Sequence, residues 1–388
     1  MDFRLGEKSE LLRKETEEFL DEVLTPQMLE NCHRTGVNHD PAFSKALRDK
    51  GWLALGWPVE AGGQGRDPLE VLAYSEVMAE RNAPTYAIGT TMMVAHVIHE
   101  VGTEAQKNEI LPKALNADVV IALGFTEPEN GSDAAAAATR AVRTGDGWTI
   151  SGSKMFTTNA HVADYVFMLA RTNPEAPKHR GLTTFLVPLD QPGVEVQEVR
   201  TLSGERTNIT FYNDVVVADE WRIGEVDGGW QVMATAFAHE HSASFAGEQW
   251  RLVEAFTAWA NEATDSDGRR RIDDPVIRTR IGKSRTELEV ATLLQRRAAW
   301  AQSEGLDAHG VGSMSKLFST ERLEAQAEET LELVGPDGVR AWGDPTAVQG
   351  GTIEHMVRHA KGTTIYAGTS EIQRNIIAQH VLGLPRSY

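Results

Sequence analysis

Three short polar segments carry the side chains whose types and spacing could do chemistry. The first, FTEPENGSD at 125–133, follows the apolar run 119–123 and ends in small polar residues. Its hydroxyl and backbone N–H groups could face an anion or the edge of a flat ring. A surface loop between two elements explains the same letters, so composition alone leaves both interpretations open.

The other two segments are KMFTTN at 154–159 and YAGTSEIQR at 366–374. In the former, an aromatic residue beside two hydroxyl residues could stack on a flat ring and hydrogen-bond its rim, although an ordinary strand end has the same composition. In the latter, Gly-Thr-Ser before a helix with an early Glu is typical of an N-cap. Free N–H groups there suit a phosphate or a developing oxyanion, but a well-capped helix without a ligand fits equally.

The elements that must position these segments fall into three blocks. Helical periodicity holds to about residue 116, a period of two from about 118 to 223, and helical periodicity again from about 228 to the end. The predicted helices are 9–23, 41–50, 68–81, 87–101, 103–114, 230–264, 275–303, 312–334, 352–359 and 369–382. The predicted strands are 148–151, 165–171, 183–189, 194–199 and 209–217.

This order of elements predicts an α+β fold. Closely spaced strands without intervening helices favour a small antiparallel barrel or sandwich. We therefore expect an N-terminal helical domain at 1–117, a β domain at 118–226 and a C-terminal helical bundle at 227–388. The order differs from a doubly wound parallel sheet, and no GxGxxG follows a strand, so the usual dinucleotide fingerprint is missing.

The composition limits the class of function. The 388 residues carry a net charge of -18, the opposite sign from that of a typical nucleic-acid-binding protein. No run of about eighteen apolar residues predicts a membrane span, and the charged N-terminus lacks the apolar core of a signal peptide. The single cysteine, Cys32, excludes an internal disulfide framework and a cysteine-based metal cluster, which makes the cytoplasm the expected compartment.

Together the three segments resemble the acyl-CoA dehydrogenase family, over essentially the whole chain. TEPENGSD at 126–133 is similar to the family's TEP-x-x-GSD loop, and GSKMFTTNAHVADYVFMLART at 152–172 to its G-x-K-(W/F)-(I/T)-(S/T)-N segment and following strand. YAGTSEIQRNIIAQHVLG at 366–383 is similar to its C-terminal signature. The presence of all three motifs in this order is strongly specific for the family. RTNPEAPKHRG and GWLALGWPVEAGGQG further resemble bacterial members that act on steroid-side-chain acyl-CoAs.

The resemblance implies FAD as the cofactor and places its contacts residue by residue. Phe125, Thr126 and Ser132 would line the flavin, with Ser132 near the pyrophosphate. Phe156 and Thr158 would contact the isoalloxazine. The family further implies contacts to the adenosine or ribityl part from Gly368, Thr369 and Glu371, and contacts to a neighbouring subunit's FAD from Arg278, Glu332 and Gly335.

Two of these assignments have complications in the sequence itself. Arg280 stands close to Arg278 and could take its place. The family usually has Gln where this chain has Glu332, and a carboxylate is a poorer contact for FAD.

Removing the α-proton of an acyl thioester needs a positioned base and stabilisation of the enolate, coupled to hydride loss from Cβ. A carboxylate whose pKa is raised by burial suits this task. Many family members carry that Glu at the position of Ala367, which has no acid, although its backbone N–H could still bond the thioester oxygen. Branched-chain, long-chain and some steroid members use a Glu on the first long C-terminal helix, and the resemblance places Glu240 there.

A solvated helix acid is the alternative interpretation of Glu240, which is flanked by His239 and His241. The family commonly has Arg at the position of His241, whose charge depends on pH. The two histidines are two residues apart on a predicted helix and do not face one ion, and no HExxH motif occurs, so no metal site is expected.

The resemblance thus implies FAD-dependent α,β-dehydrogenation of an acyl-CoA with Glu240 as base, in fatty acid or steroid side-chain metabolism. Electrons would pass to an electron-transfer flavoprotein, and the chain would form a homo-oligomer, a dimer or a homotetramer. Two alternatives stay open: a non-catalytic partner subunit of a heteromer, and a flavin oxidase or monooxygenase on the same fold. The identity of the acyl chain is not predicted.

Overall fold

The structure is a computed structural model that describes residues 5–240 and 245–385, and of residues 237–240 it describes only the backbone. Helices come first, strands second and helices last, which confirms the predicted α+β class. The α-helices are α1 (Glu7–Val23), α2 (Pro26–Thr35), α3 (Pro41–Asp49), α4 (Pro68–Glu80), α5 (Tyr86–Val101), α6 (Glu104–Leu115), α7 (Gly229–Glu240), α8 (Phe245–Glu262), α9 (Pro275–Ser303), α10 (His309–Val334), α11 (Thr352–Thr363) and α12 (Ser370–Ile376). The strands are β1 (Ile121–Gly124), β2 (Arg140–Thr144), β3 (Gly147–Lys154), β4 (Tyr165–Arg171), β5 (Leu182–Pro188), β6 (Val194–Arg200), β7 (Arg206–Ala218) and β8 (Arg222–Ile223). Within these ranges no helix is both long and apolar enough to cross a lipid bilayer.

Local side chains explain where several helices begin. The Asp67 carboxylate accepts the Leu69 N–H at the start of α4, and Glu70 accepts the Asp67 N–H in return. Thr103 and Gln106 form the same reciprocal pair before α6. Such caps satisfy N–H groups that a helix start leaves unpaired, at about 1 kcal/mol each.

The described strands form an eight-stranded sheet in the order β6-β7-β3-β2-β4-β5-β8, with β1 paired to β4. Most neighbours are antiparallel, as the sequence predicts, but β1 and β2 run parallel to β4. Neither strand is predicted from the sequence. β1 has four residues and β2 is largely exposed, so neither shows a clear alternation of apolar and polar positions.

Trp148 in β3 and Phe185 in β5 show that this sheet curls. Because β2 and β4 lie between the two strands, a flat sheet would separate them by roughly 14 Å. The two ring centroids are instead 5.4 Å apart in edge-to-face contact. The curled strands enclose an apolar core of their own, whereas Phe167 and Leu169 of β4 belong to a second core shared with α5, α6 and α7.

Packing divides the described chain into two compact units. The first contains α1, α4 and α8 to α12, and α4 packs against α8 and α9 within it. The second contains α2, α3, α5 to α7 and the whole sheet. The domains predicted from sequence order, 1–117, 118–226 and 227–388, stay a prediction.

Candidate active site

Two loops of the second unit lie side by side where β1 and β3 end. The loop 125–133 follows β1, and the segment 155–159 follows β3. The Met155 N–H donates to the Thr126 carbonyl at 2.8 Å, which joins the two. The first two predicted segments, about thirty residues apart in the sequence, are therefore neighbours in the fold.

A buried ion pair between Glu127 and Lys154 locks these loops together. Lys154 Nζ is 2.7 Å from Glu127 Oε1 and donates to the Leu169 carbonyl at 2.6 Å. The carboxylate also accepts the N–H groups of Ala138 and Thr139 at 2.7 and 3.0 Å. Burial alone would raise the pKa of Glu127, but Lys154 and the two N–H donors outweigh it and hold that pKa below its ordinary value. The carboxylate therefore stays charged.

Phe156 has a backbone conformation that is rare for an aromatic residue. Its φ of 58° lies in the left-handed region, at a cost of roughly 1–2 kcal/mol for a residue with a Cβ. The side chain is nevertheless 54% exposed, so this strain contributes little to the core. Backbone strain at an exposed aromatic residue is typical of a ligand contact. The arrangement suits a flat ring resting on Phe156.

Thr158 is fixed next to Phe156 by hydrogen bonds to the loop and to β7. Its N–H donates to the Phe156 carbonyl at 2.9 Å, and its hydroxyl is 3.0 Å from that of Thr207. Asn208 exchanges two hydrogen bonds of 2.9 Å with the backbone of Thr157. A hydroxyl can both donate and accept, so Thr158 keeps capacity for the edge of a bound ring.

The remaining predicted residues of these loops differ in exposure. Phe125 is half-buried, with its ring in edge-to-face contact with Phe167 at 5.8 Å, and Thr126 is half-buried as well. Ser132 is exposed. The structure therefore brings together five predicted residues on two adjoining loops: Phe125, Thr126, Ser132, Phe156 and Thr158.

In the first unit, Ala367 and Gly368 form a turn just before α12. Both have left-handed φ values, 53° and 79°. Gln373 Nε2 donates to the Ala367 carbonyl at 2.9 Å, and Lys316 Nζ donates to the Gly368 carbonyl at 2.7 Å. Thr369 follows as the N-cap of α12. Across residues 5–240 and 245–385, the N–H groups of Ala367 and Gly368 have no acceptor, so the turn offers two donors to a ligand.

Arg278 near the start of α9 and Glu332 near the end of α10 lie at the same end of this helix pair, because their neighbours Ile277 and Val334 share one apolar cluster. Lys316, which holds the turn before α12, is about 24 Å from Glu332 along α10, since each helical residue adds about 1.5 Å. One chain therefore keeps this group apart from the turn. Such a separation is what contacts to a neighbouring subunit's FAD would require.

The structure distinguishes the two arginines. Arg280 forms an ion pair with Glu329 at 3.0 Å, whereas Arg278 is exposed and makes no ion pair with any residue that the structure describes. Gly335 ends α10 with a φ of 75°. Glu371 is exposed in the first turn of α12, and hydrogen bonds from its own backbone and from Thr369 hold its carboxyl pKa below the ordinary value.

The predicted base lies at the limit of the described residues. Glu240 is the last residue of α7, and its side chain and residues 241–244 are outside what the structure describes. The same holds for the side chains of His239 and His241. The role of Glu240 therefore stays a prediction.

Sequence reasoning misses four side chains that organise the site: Glu127, Lys154, Lys316 and Gln373. Glu127 and Lys154 both stand inside recognised motifs, and their opposite charges beside apolar strands could have signalled a buried pair. Lys316 is fifty-two residues before Gly368, and no local pattern connects the two.

Comparison with known proteins defines the family. The chain matches the acyl-CoA dehydrogenase N-terminal domain at residues 6–118, the middle domain at 122–215 and the C-terminal domain at 227–382. This chain belongs to the acyl-CoA dehydrogenase family. It is an FAD-dependent oxidoreductase acting on acyl-CoA, which confirms the predicted family, cofactor and reaction class.

Relatives and solved structures agree with this assignment. The chain is 33% identical to acyl-CoA dehydrogenase FadE26 of Mycobacterium tuberculosis, covering 98% of each chain, and 28% identical to the mitochondrial short-chain specific acyl-CoA dehydrogenase of Bos taurus, covering 99% of this chain and 92% of that one. The fold matches the Tcur3481-Tcur3483 steroid ACAD with a TM-score of 0.91 at 32% identity, covering both chains fully. It matches the ChsE4-ChsE5 complex of Mycobacterium tuberculosis with a TM-score of 0.90 at 31% identity, again over both full chains.

The residues present fit an FAD. The cofactor needs a flat surface for its ring system and donors for its phosphates and ring edge. Phe156 supplies an exposed aromatic face held by a strained backbone, and Thr158, Thr126 and Ser132 supply hydroxyl groups on the same two loops.

Proposed function

We propose that this chain is itself catalytic, with Glu240 removing the α-proton of an acyl-CoA thioester. Position 367, where many family members carry the base, is alanine, so the acid must come from elsewhere. Glu240 ends α7 at the position that matches the base of the branched-chain and long-chain members. The sequence AGTSE at 367–371 also resembles that of family members whose base is the helix Glu.

The observation that supports this proposal most directly is the turn at Ala367. Its left-handed backbone leaves two N–H donors without an acceptor among the described residues. Donors that are already oriented stabilise an oxygen on which charge develops, as the thioester oxygen does when its α-proton leaves. A turn with this geometry needs no side chain at 367, only its backbone.

In this proposal, different residues of the chain bind the thioester, remove its proton and hold the cofactor. The Ala367 N–H binds the thioester oxygen and makes the α-proton more acidic, and Glu240 takes that proton. FAD would be held by residues of the two loops and of the turn before α12: Phe125, Thr126, Ser132, Phe156, Thr158, Gly368, Thr369 and Glu371. The FAD of a neighbouring subunit would be contacted by Arg278, Glu332 and Gly335. FAD, when bound, accepts the hydride that leaves Cβ.

Replacement of the base tests this proposal. Glu240→Gln should retain FAD and bind acyl-CoA but lose flavin reduction by several orders of magnitude, since a general base and its positioning are removed. The measurement is anaerobic bleaching of the flavin absorbance in a stopped-flow instrument. Glu254→Gln on α8 is the matched control, because its ion pair with Arg285 is partly exposed and contributes little. Bleaching by Glu240→Gln at the parent rate would show that another group is the base.

The acyl group that we propose is bulky, a steroid side chain in the first instance. The similar Tcur3481-Tcur3483 steroid ACAD, which this chain covers fully, supports this proposal. Small residues that follow Glu240 in the sequence (Ser242, Ala243, Ser244 and Ala246) are compatible with a wide substrate. Among short, long, branched and steroid thioesters, the steroid thioester should bleach the flavin fastest. A faster reaction with a short straight chain would contradict the assignment.

The partners follow from the same chemistry. We propose a homo-oligomer, a dimer or homotetramer, that passes electrons to an electron-transfer flavoprotein, in the cytoplasm. A mixed oligomer is the second candidate, because the similar ChsE4-ChsE5 structure is a complex of two different components. Rapid reoxidation of the reduced flavin by oxygen, without an electron-transfer flavoprotein, would instead indicate an oxidase.

A further inference from the structure

We propose that Lys316 and Gln373 are positioning residues for the acyl-CoA reaction: they hold the turn at 367–368 so that its N–H groups face the thioester oxygen. The inference rests on the proposed function, in which the Ala367 N–H binds that oxygen. Neither residue touches the reacting atoms in this proposal. Each acts through a backbone carbonyl of the turn.

The geometry of the peptide bond relates these two contacts to the direction of the N–H groups. In a trans peptide the carbonyl and the following N–H point in opposite directions, and no described peptide bond is cis. Gln373 captures the Ala367 carbonyl, so the Gly368 N–H must point away from Gln373. Lys316 captures the Gly368 carbonyl, so the Thr369 N–H must point away from Lys316. The two side chains thus fix the two peptide groups that follow Ala367 and Gly368, while the Ala367 N–H belongs to the preceding peptide and depends on them through the backbone conformation of Ala367.

The left-handed conformation of Ala367 and Gly368 brings their N–H groups together. Successive residues in such a turn direct their N–H groups to one side and form a concavity that receives negative charge. At Ala367, with φ of 53°, the N–H groups of Ala367 and Gly368 are therefore brought to the same side. Neither has an acceptor within the described ranges. An L-residue with a Cβ does not favour this conformation, so something outside the turn must maintain it.

Burial shows that the two donors are built into the fold. Gln373 is 1% and Lys316 4% exposed, so neither bond competes much with water. The Lys316 ammonium also lies 5.9 Å from the ring centre of Phe245, and a Cβ added at Gly368 would come within 2.7 Å of Gln373 Nε2. The Gln373 bond to the Ala367 carbonyl also polarises the peptide that carries the Gly368 N–H, which strengthens that N–H as a donor.

A purely structural role, in which these bonds only secure α12, makes a different prediction about ligands. We therefore choose a readout that depends on the thioester carbonyl alone. Each acyl-CoA is paired with the thioether that has CH₂ in place of C=O. The pairs are octanoyl-CoA with S-octyl-CoA and cholanoyl-CoA with S-cholanyl-CoA. The ratio of the two dissociation constants, measured by flavin absorbance changes on the FAD-loaded protein, reports the oxygen contact.

The parent should bind each thioester more tightly than its thioether. Lys316→Met and Gln373→Leu should each bring the ratio of thioether to thioester dissociation constants about tenfold closer to one. This is the size of one lost hydrogen bond to a developing or partial charge. The affinity for the thioether should stay within about twofold of the parent. The carbonyl stretch of the bound thioester, seen by isotope-edited infrared spectroscopy, should shift towards its value in solution. Lys283→Met is the matched control, because it removes a lysine of the same helix pair whose partner is Glu329.

The outcomes separate the inference from the function on which it rests. If the variants weaken thioester and thioether equally, or leave both unchanged, Lys316 and Gln373 do not position the donors. If the parent itself does not distinguish the members of a pair, the proposed role of the Ala367 N–H is wrong instead. A thermal unfolding temperature measured for each variant identifies one that fails to fold, in which case Lys316→Gln and Gln373→Asn, which keep a donor, provide the comparison.

Discussion

At the scale of single residues, the site depends on backbone conformations that most side chains avoid. Phe156 and Ala367 both have left-handed φ values, and each is held by neighbours that are themselves buried. Thr157 and Asn208 fix the segment at Phe156, while Lys316 and Gln373 fix the turn at Ala367. Strain of this kind persists only when the surroundings over-determine it, which explains why buried polar groups lie beneath both.

The Glu127–Lys154 pair gives a prediction about stability. Lys154→Met should lower the free energy of unfolding by about 3–5 kcal/mol at pH 7, because the Glu127 carboxylate is then buried without its cation. In the parent, the pKa of Glu127 is below its ordinary value, so its contribution is present above about pH 4.5 and lost as the pH falls further. Urea unfolding at pH 7 and pH 4.5, followed by circular dichroism, measures this.

The pH dependence provides the internal check on this prediction. Without Lys154, burial raises the pKa of Glu127, so protonation at pH 4.5 should relieve part of the deficit that the variant shows at pH 7. Lys154→Met combined with Glu127→Gln should recover part of the loss, since no lone buried charge remains and the amide oxygen can still accept from Ala138 and Thr139. An equal deficit at both pH values would mean that packing, and not charge, determines the cost.

At the scale of elements, the periodicity of the sequence accounts for most of the fold. The predicted strand at 165–171 coincides with β4, and the helix at 275–303 coincides with α9. α2 is missed because none of its residues is buried, and β1 because its pairing with β4 joins residues more than forty positions apart. The motifs locate the site's loops, but the donors that hold them come from elements distant in the sequence. Only the fold brings Lys316 to Gly368.

Two helical glycines provide an element-scale prediction. A Cβ at Gly247 of α8 would lie 2.4 Å from the Cβ of Ala79 in α4, so Gly247→Ala should push these helices apart and cost about 1–3 kcal/mol. Gly282 of α9 is the matched control, since a Cβ there meets nothing within 4 Å. Gly282→Ala should stabilise by roughly 0.5–1 kcal/mol through helix propensity. Thermal unfolding that ranks the two substitutions in the opposite order would contradict the close α4–α8 packing.

At the scale of the whole molecule, a chain of net charge -18 must bind two anionic ligands, FAD and acyl-CoA. Long-range electrostatics oppose this, so we expect binding to depend on local donors, for which we propose the turn at 367–368 and Arg278. Glu332 lies about 24 Å along α10 from Lys316, which holds the turn at 367–368. We therefore propose that Glu332 and the turn at 367–368 of one chain serve two different FAD sites of an oligomer.

This arrangement predicts that Glu332 limits FAD affinity. The carboxylate is exposed, and the family usually has a neutral Gln there, so Glu332→Gln should remove a repulsion and tighten FAD binding about three- to tenfold. Titration of the apoprotein with FAD, with light scattering to establish the oligomer, measures the effect, and high salt should reduce it. Glu289→Gln on α9, another exposed acid, is the matched control and should leave FAD affinity unchanged. If Glu332 contacts the FAD of a neighbouring subunit, as we propose, the gain should vanish in any monomeric fraction. An equal gain in monomer and oligomer, or none in the oligomer, would show that Glu332 does not face a neighbour's cofactor.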